Sequence, residues 1–548
     1  MSAGLSVPHR FRGDFRTDDV ARAVYSEAAG VGRIIPAAVA VPATVDDLVT
    51  LVGWATASGH SLVMRGSGSS MAGGAIGPGV IVDLGRLDAF GPVRADERRI
   101  TVGPAVTRDR VEAEAAQHDL IFPVDPSSGA FATIGGMCAT NAGGVRTVRY
   151  GPMRRWVAGL ECVFADGSRG WLRRGAEAHD LAPVKRFLND VAPGVRRAGA
   201  DALRHTDVRK ESSGYGLADW LESGDALDLV IGSEGTLACI VGVELMLAPL
   251  PIATASLVAG FPDLEGAAAA AGRLAAAGAS AVELLDRSFL EIAASAGEPL
   301  PVALPAGLEG VLVVEVEATT AALAASALSE LAGWCDAGGA TFITRAVEPH
   351  EETLLWTLRH AASPILTRLA PRLQSLQLVE DGCVPPARFA EYVRGVRSAL
   401  ADAQFRGVIF GHAGDGHAHV NVLLDVHEPD WRVRIERLLL DVTVLVARLG
   451  GTLAGEHGDG RLRAPLLPRV WPAEAVALFA ATKRAFDPAG ILNPGVIVAA
   501  AGAVPIDHVK YDPALPALPA AARAALDLVV REKAWARHRL DLLPPSSQ

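Results

Sequence analysis

Histidines cluster in the segment VIFGHAGDGHAHVNVLLD, residues 408–425. The pattern predicts a strand, a tight Gly-Asp-Gly loop and a second strand, with His412 at the mouth of the loop. His417, His419 and Asn421 alternate along the second strand and therefore share one of its faces. Imidazole nitrogens are common metal ligands, so three histidines this close together indicate a metal site. Taken singly, a histidine near a turn more often only hydrogen-bonds the backbone.

A second chemically active segment is GEHGDG, residues 455–460, in which Glu456 directly precedes His457. A carboxylate is a further ligand type for the metals that imidazole binds. An imidazole, with a reference pKa of ~6.5, is also well suited to accept a proton at neutral pH. The segment therefore adds a candidate ligand and a candidate base to the histidine cluster.

Two glycine-rich segments are candidates for binding a phosphate group: RGSGSSMAGG, residues 65–74, and DPSSGAFATIGGMCATNAGG, residues 125–144. Their backbone N–H groups and hydroxyls can meet a phosphate charge without lysines. The first is not a P-loop, because no Gly-Lys-Ser/Thr ends it, and Met71 stands where a dinucleotide fingerprint has its third glycine. One such loop would more often be an ordinary turn. Two in one unit are costly in chain entropy, which favours a ligand that orders both.

Hydrophobic periodicity predicts the elements that must position these residues. Thr44 predicts the start of a helix that Gly59 ends, and residues 61–64 predict the strand that runs into the first loop. Beyond the PLP junction at 249–251, two strand-helix-strand units in tandem predict a ferredoxin-like antiparallel sheet. The fold class is therefore α+β. The expected parts are an N-terminal segment (1–34), a first α+β domain (35–250), a second domain (251–485), a return to the first (486–500) and a packed-down tail (501–548) with an amphipathic stretch near 519–540.

Composition excludes several classes of protein. The 548 residues are 50% apolar and carry a formal net charge of −11, which argues against a general nucleic-acid binder. The five cysteines include no C-x-x-C pair, which excludes an iron-sulfur domain or a disulfide framework and favours a reduced cytoplasmic location. The first twenty residues lack the apolar core of a signal peptide, and no stretch is typical of a membrane span.

Motifs in order along nearly the whole chain resemble flavoproteins of the vanillyl-alcohol-oxidase (PCMH-type) superfamily, in the branch of D-2-hydroxyacid dehydrogenases. They are the two glycine-rich loops, ADGS (165–168), SSGYGL (212–217), GSEGTLA (232–238), GHAGDGHAHVN, GEHGDG and FDPAGILNPG. The resemblance implies FAD, with its ring between a PCMH-type FAD-binding domain and a ferredoxin-like-derived substrate cap, and a C-terminal helical segment. The implied FAD-binding residues are Arg65, Gly66, Ser67, Gly68, Ser69, Ser70, Ser128, Thr133, Gly136, Asn141, Gly143, Gly144, Glu234, Gly235, Ile240 and Asn493.

The resemblance also assigns roles in the second domain. His412, His419 and Glu456 match the family's metal ligands, a set that suits zinc, with manganese or iron as alternatives. His417 stands where the family more often has asparagine, and it could be an extra ligand, an outer-shell partner or neither. His457 matches the general base. Arg359 matches the arginine that holds the substrate carboxylate, and Asn421 is a further substrate-binding candidate.

Two departures from the family pattern refine the expectation. Relatives that attach flavin covalently through the first loop have histidine where this chain has Ser69, so we expect dissociable FAD and a merely buried thiol at Cys138. Members specific for hydroxyglutarate have a lysine shortly before a VEDGCVP-like stretch. The stretch here, LQLVEDGCVP (376–385), has no lysine, which puts a dicarboxylate substrate in doubt.

The sequence therefore predicts FAD-dependent, metal-assisted oxidation of a D-2-hydroxyacid, such as D-lactate, glycolate or a D-2-hydroxyglutarate-like acid, to the 2-oxoacid. The alternatives are a flavin oxidase, a non-redox FAD transferase of the same fold, or a non-catalytic flavoprotein subunit of a larger oxidase complex. A separate electron acceptor is expected: an electron-transfer flavoprotein, a quinone, an iron-sulfur subunit or oxygen. A homodimer is left open, as is contact with a membrane through the acceptor.

Overall fold

The structure is a computed structural model that describes residues 5–294, 300, 302–360 and 372–544. In the first 250 residues, helices alternate with short strands. The strands are β1 (Asp14–Arg16), β2 (Ala38–Val41), β3 (Leu62–Arg65), β4 (Val80–Asp83), β5 (Arg99–Val102), β6 (Leu120–Ile121), β7 (Val157–Val163), β8 (Arg169–Arg173), β9 (Cys239–Met246) and β10 (Ala248–Pro249). The helices are α1 (Asp19–Val24), α2 (Val45–Ser58), α3 (Arg108–Ala116), α4 (Ile134–Thr140), α5 (Thr147–Tyr150), α6 (Ala182–Asp190), α7 (Ala192–Ala198), α8 (Leu217–Ser223) and α9 (Leu227–Val230).

Two four-stranded sheets organise this first part of the chain. One is mixed, in the order β1-β2-β4-β3, and the other is antiparallel, in the order β5-β9-β7-β8. Helix α2 has the predicted ends: Thr44 accepts a hydrogen bond from Asp47 N, and Gly59 is left-handed with φ 73°. The predicted strand at 61–64 is β3, which runs directly into the first glycine-rich loop.

The second part contains the predicted tandem units. Its strands are β11 (Ala253–Phe261), β12 (Ala281–Asp286), β13 (Gly310–Ala318), β14 (Phe342–Ala346), β15 (Leu373–Leu376), β16 (Gly382–Cys383), β17 (Arg406–Gly411) and β18 (His417–Asp425). Its helices are α10 (Leu264–Ala276), α11 (Arg287–Ala294), α12 (Ala321–Ala337), α13 (Pro349–His360), α14 (Phe389–Asp402), α15 (Trp431–Arg448), α16 (Gly460–Arg463) and α17 (Ala473–Phe486).

One antiparallel sheet runs through this second part in the order β14-β11-β13-β12-β17-β18-β15. Its first four strands have the ferredoxin-like arrangement, with the fourth strand beside the first and the third beside the second. Leu284 and Leu285 on β12 pair with Gly411 and Phe410 on β17, so the histidine-bearing hairpin extends the ferredoxin-like sheet. Alanine and leucine side chains of α10 are buried against this sheet.

The chain then returns to its first part. Leu492 forms a parallel bridge with Leu62 at the start of β3. The last helix, α18 (Ala520–Glu532), falls within the predicted amphipathic stretch and packs against α1. No helix in the described ranges is long and apolar enough to cross a membrane.

Candidate active site

A cavity of about 1150 Å³ joins the two glycine-rich loops to the histidine cluster. This is above the ~300–1,000 Å³ of common small-molecule pockets. Most of the predicted cofactor-binding residues line it: Arg65, Gly66, Ser67, Gly68, Ser69, Ser70, Ser128, Thr133, Gly136, Gly143, Glu234, Gly235 and Ile240. The cavity also contains all three predicted metal ligands, His412, His419 and Glu456, together with His457, Arg359 and Asn421. The sequence motifs that lie far apart along the chain therefore surround one space.

Three of the predicted cofactor-binding residues do not line this cavity. Asn141 donates from its side chain to Glu211 O and accepts from Arg154 N. The side-chain amide of Asn493 donates to Gly74 O and Glu234 O, at 2.9 and 2.8 Å. Gly144 donates from its backbone N–H to Thr147 Oγ1. In this arrangement Asn141, Gly144 and Asn493 shape the loops rather than face the cavity.

Glycines bring the two loops close to each other and to the cap. A Cβ on Gly66 would lie 2.3 Å from Thr133 Oγ1, so the first loop touches the second at that point. A Cβ on Gly143 would lie 2.9 Å from Glu456 Oε2, so the second loop reaches the histidine cluster. The Ser70 hydroxyl is buried and has no hydrogen-bond partner among the described residues. These are features of a cradle that is completed by a ligand.

Three donor atoms converge at the centre of the histidine cluster. Nε2 of His412 lies 3.2 Å from Glu456 Oε1, and Nε2 of His419 lies 3.4 Å from the same oxygen. A tetrahedral ion with bonds of ~2.0–2.2 Å holds adjacent ligand atoms about 3.3–3.6 Å apart. All three residues are buried. Both distances to Glu456 Oε1 are therefore close to those between ligands of one metal, and the candidate ligand atoms all lie within 4.8 Å of one another.

The other ring nitrogens are held by partners outside this triad. His412 donates from Nδ1 to Glu283 Oε1 at 2.6 Å, and His419 donates from Nδ1 to the Glu380 carbonyl oxygen at 2.9 Å. Such bonds fix the tautomer and leave Nε2 free to bind a metal. Burial favours the neutral imidazole of His419, but the Glu380 and Glu456 carboxylates outweigh it and raise its pKa to about 10. The cluster therefore favours positive charge.

His417 is not among the residues that line the cavity, although its ring lies close enough to His412, His419 and Glu456 for all four to offer ligand atoms within 4.8 Å of one another. Its Nε2 donates to Asp381 Oδ1 at 2.9 Å, while its Nδ1 has no hydrogen-bond partner among the described residues. Burial lowers its pKa to about 3, despite the bond to Asp381. The ring centroids of His417 and His419 are 4.7 Å apart. The bond to Asp381 favours a neutral partner of the triad, while the unpaired Nδ1 is consistent with a further ligand.

His457 has the geometry of an oriented base. Its Nδ1 donates to Glu380 Oε2 at 2.8 Å, and its ring stacks on His419 with centroids 5.2 Å apart. The side chain is 27% exposed, to the cavity that it lines. Burial opposes a charge on His457, yet the Glu380 and Asp381 carboxylates raise its pKa. Arg463 in turn donates to Glu380 at 2.5 Å.

Arg359 lies on α13 and reaches the same cavity. Its Nε donates to Glu283 Oε2 at 2.5 Å, and its guanidinium lies 5.0 Å from the Phe410 ring centroid. Glu283 therefore contacts both Arg359 and the candidate ligand His412. Residues 361 and 362 of the segment LLWTLRHAA lie outside the described residues. The nearby wall is formed by amide and hydroxyl side chains, which are Gln374, Ser375 and Gln377.

Two known families match the chain, each over one of its parts. The "FAD binding domain" family matches residues 36–172, and "FAD linked oxidases, C-terminal domain" matches residues 250–497. D-lactate dehydrogenase of Archaeoglobus fulgidus is 30% identical over 462 residues, which cover 83% of this chain and 90% of the relative. The chain belongs to the FAD-linked oxidoreductases. Glycolate oxidase subunit GlcD of Bacillus subtilis is 28% identical over 89% of this chain and 94% of its own length.

The family is thus the expected branch, whose members are named D-lactate dehydrogenase, glycolate oxidase and D-2-hydroxyglutarate dehydrogenase. Among solved structures, 4-ethylphenol oxidase from Gulosibacter chungangensis superposes with a TM-score of 0.62, at 15% identity over 88% of this chain and 94% of that one. This likeness confirms the predicted PCMH-type fold. As an FAD-linked oxidoreductase, the protein binds FAD, and the cavity between the loops and the cap has room for it.

Several residues of this FAD-linked oxidoreductase escaped the sequence analysis. Glu283, Glu380 and Asp381 hold the histidines, although Glu380 and Asp381 lie in the quoted stretch LQLVEDGCVP. Lys210 is fully buried and donates to both Gly144 O and Glu456 Oε2, each at 2.9 Å. It thereby joins the second glycine-rich loop to the histidine cluster. A fully buried charge is a signal for a role of this kind, but burial is visible only in the fold.

Proposed function

We propose that this protein oxidises a D-2-hydroxyacid to the 2-oxoacid, with FAD as the hydride acceptor and a divalent metal as the Lewis acid. The observation that carries the proposal is the convergence of His412 Nε2, His419 Nε2 and Glu456 Oε1 on the wall of the FAD cavity. When bound, FAD supplies a two-electron acceptor and the metal lowers the pKa of the substrate hydroxyl. Side chains of the protein are proposed to accept the hydroxyl proton and to bind the substrate carboxylate.

Charge balance supports the metal. Five buried carboxylates and three buried cations surround the imidazoles, which leaves an excess of two negative charges when the imidazoles are neutral. The carboxylates are Glu283, Glu380, Asp381, Asp415 and Glu456, and the cations are Lys210, Arg359 and Arg463. A divalent cation would offset this excess in place of the protons that the carboxylates otherwise favour on His419 and His457, whose pKa values they raise. Two imidazoles and one carboxylate suit zinc, with manganese or iron as alternatives.

His457 is the proposed general base. Because Nδ1 donates to Glu380, the other nitrogen, Nε2, is the one that can accept the hydroxyl proton. The proton then stays on an imidazolium that the Glu380 and Asp381 carboxylates stabilise. Glu380 is itself paired with Arg463, so its carboxylate is held in the orientation that directs His457. Oxidation of the alcohol would release a proton, which His457 is placed to accept, and a hydride that carries the two electrons lost by the carbon, for which bound FAD would be the acceptor.

Arg359 is the proposed partner of the substrate carboxylate. A guanidinium can bind a carboxylate through two parallel hydrogen bonds, and Glu283 holds this one through Nε. The neighbouring Gln374, Ser375 and Gln377 are neutral. Among the described residues of this wall they offer hydrogen bonds but no positive charge for a second carboxylate, which favours a monocarboxylic acid such as D-lactate or glycolate. Asn421, which is buried beside His419 on β18, would contact the same substrate.

The cofactor is proposed to be dissociable. Ser69 cannot form the covalent bond to flavin that a histidine forms, and its hydroxyl accepts a hydrogen bond from Ser67. Cys138 is a free, buried thiol whose pKa is raised by burial, so it is poorly suited to attack a flavin. Electrons would then leave to a separate acceptor, as expected above.

The test is anaerobic mixing of the purified yellow protein with matched D- and L-2-hydroxyacids, followed by visible absorbance and assay of the 2-oxoacid. We expect bleaching by a D-monocarboxylic acid or glycolate, and much slower bleaching by the L-acid. A protein that retains FAD and metal but is reduced by none of these acids would contradict the proposed reaction and favour the non-redox transferase or the non-catalytic subunit.

A further inference from the structure

The C-terminal segment contributes a wall of the FAD cavity. The segment lies beyond residue 497, where the match to the C-terminal domain family ends. Its composition predicted only a packed-down tail. Among the cavity-lining residues are Lys510, Tyr511, Arg523, Arg531, Lys533 and Trp535. Helix α18 places this segment by packing Ala522, Ala525 and Leu526 against the apolar face of α1. The C-terminal segment is therefore packed against the first domain and forms part of the cavity wall.

Two contacts attach the segment to the glycine-rich loops. Arg539, which is only 2% exposed, donates from Nη2 to Ser67 O on the first loop at 3.0 Å. Trp535 lies against Phe131 of the second loop, with ring centroids 6.3 Å apart. The Arg539 guanidinium also lies 5.3 Å from the Trp535 ring centroid. Trp535 is therefore fixed where the two loops meet, and it is half-buried at the cavity wall.

The charge of this wall is opposite to that of the protein. The segment lines the cavity with Lys510, Arg523, Arg531 and Lys533, and with one acid, Asp527. Arg523 pairs with Asp527 and with Glu27 across the cavity wall, and Arg531 pairs with the exposed Glu532, so the excess positive charge comes from Lys510 and Lys533. The whole chain has a formal net charge of −11. A local excess of positive charge in an acidic protein raises the local concentration of anions. The ligand expected at this wall is therefore an anion that also presents a flat aromatic ring to Trp535.

The proposed function sets the direction of FAD in the cavity, because it puts the flavin ring at the histidine cluster. The glycine-rich loops, with their backbone N–H groups, suit the pyrophosphate. The adenosine half would then occupy the rest of the cavity, which the C-terminal segment lines together with Leu84, Pro104 and Ile240. We propose that residues 510–539 form the binding site for the ADP half of FAD, with adenine stacked on Trp535 and the phosphates attracted by the basic side chains.

This inference rests on FAD binding by the family and on the proposed function, because the histidine cluster as the site of reaction sets the direction of FAD. It is tested with apo-protein titrated with FAD, FMN and ADP, where FMN has the flavin ring without the AMP half. The variants are Trp535→Ala and Trp535→Phe, with Trp334→Ala as the control because Trp334 is 45% exposed on α12. The dissociation constants are measured by flavin fluorescence and calorimetry, and the melting temperature of each apo-protein checks folding.

Trp535→Ala should raise the dissociation constants of FAD and ADP by about tenfold or more, which is the range expected for the loss of one stack between a base and an aromatic ring. Trp535→Phe should retain most of the affinity, Trp334→Ala should equal the parent, and FMN should bind equally in all four proteins. Unchanged FAD and ADP affinity in Trp535→Ala would overturn the proposal. An equal loss for FMN and FAD would also overturn it, because Trp535 would then act on the flavin half.

The double variant Arg531→Gln/Lys533→Gln tests the electrostatic part without disturbing the packed core, since both side chains are exposed. It should bind FAD and ADP more weakly than the parent, and its affinity should depend less on salt concentration. Affinity and salt dependence equal to those of the parent would overturn the role of the basic wall.

Discussion

Glu380 connects three groups that bear on the proposed chemistry. Its carboxylate accepts hydrogen bonds from His457 Nδ1 and Arg463, while its carbonyl accepts from His419 Nδ1. One residue thus orients the candidate base and a candidate metal ligand. Glu283 does the same for His412 and Arg359. Neither role could be predicted from the sequence, because the partners lie 39 to 129 positions away and no motif spacing joins them.

His457→Ala should abolish flavin reduction without releasing FAD. Loss of a general base costs ~10²–10⁴-fold, so the reduction rate constant under anaerobic stopped flow should fall at least about 100-fold. His427→Ala is the control, because His427 is exposed beyond β18 and contacts Asp425. A His457→Ala protein reduced at the parent rate would remove His457 as the base.

His419→Ala should lower bound metal and activity together. Loss of a Lewis acid that supplies several kcal/mol corresponds to about a 100-fold or greater fall in rate. Metal content per chain is measured by elemental analysis after dialysis. His417→Ala is the comparison, and it should keep its metal because His417 bonds to Asp381. Full metal content in His419→Ala would show that the ligands are assigned wrongly.

At the scale of elements, local sequence signals predicted helices and strands correctly, but they did not predict which distant strands pair. The capping residues predicted both ends of α2, and hydrophobic periodicity predicted each strand and helix of the tandem units. The pairing of β12 with β17 was not predictable, since their sequences carry no register signal across 120 residues. That pairing brings Glu283 on β12 next to His412 after β17. The site's outer shell therefore depends on a contact that only the fold reveals.

The junction between β12 and α11 should make stability depend on pH. Asp286 accepts a hydrogen bond from Phe289 N, and burial raises its pKa to about 7. A raised acid pKa means that the neutral form is favoured in the folded state. The stabilisation is fully present below pH ~4, the unfolded pKa, and is lost as pH rises to about 7.

Asp286→Asn should therefore flatten the pH profile, because asparagine stays neutral. The melting temperature of the variant relative to the parent should rise between pH 4 and 7. Asp263→Asn, which replaces the exposed capping carboxylate of α10 by a neutral amide that can still cap, is the matched control. If the difference in melting temperature between Asp286→Asn and the parent stays constant from pH 4 to 7, Asp286 is not the group that titrates.

At the scale of the whole molecule, distant stretches of chain line the cavity, among them the two glycine-rich loops, the cap hairpin, GEHGDG and the C-terminal segment. The loops, the hairpin and GEHGDG were predicted because their glycines, histidines and acids have unusual types and spacing. The C-terminal segment was missed, because a segment rich in proline and alanine carries no chemical motif. Lys210 and Glu234 cross between the parts: Lys210 donates to Glu456, and Glu234 accepts from Asp459 and Gly460.

The most direct test of the account is the anaerobic rate of flavin reduction by the active D-2-hydroxyacid before and after removal of the metal with a chelator. The account predicts that the stripped protein keeps FAD, loses reduction by about 100-fold or more, and regains it when zinc or manganese is restored. A stripped protein that is reduced as fast as the untreated one would contradict metal-assisted oxidation at this site.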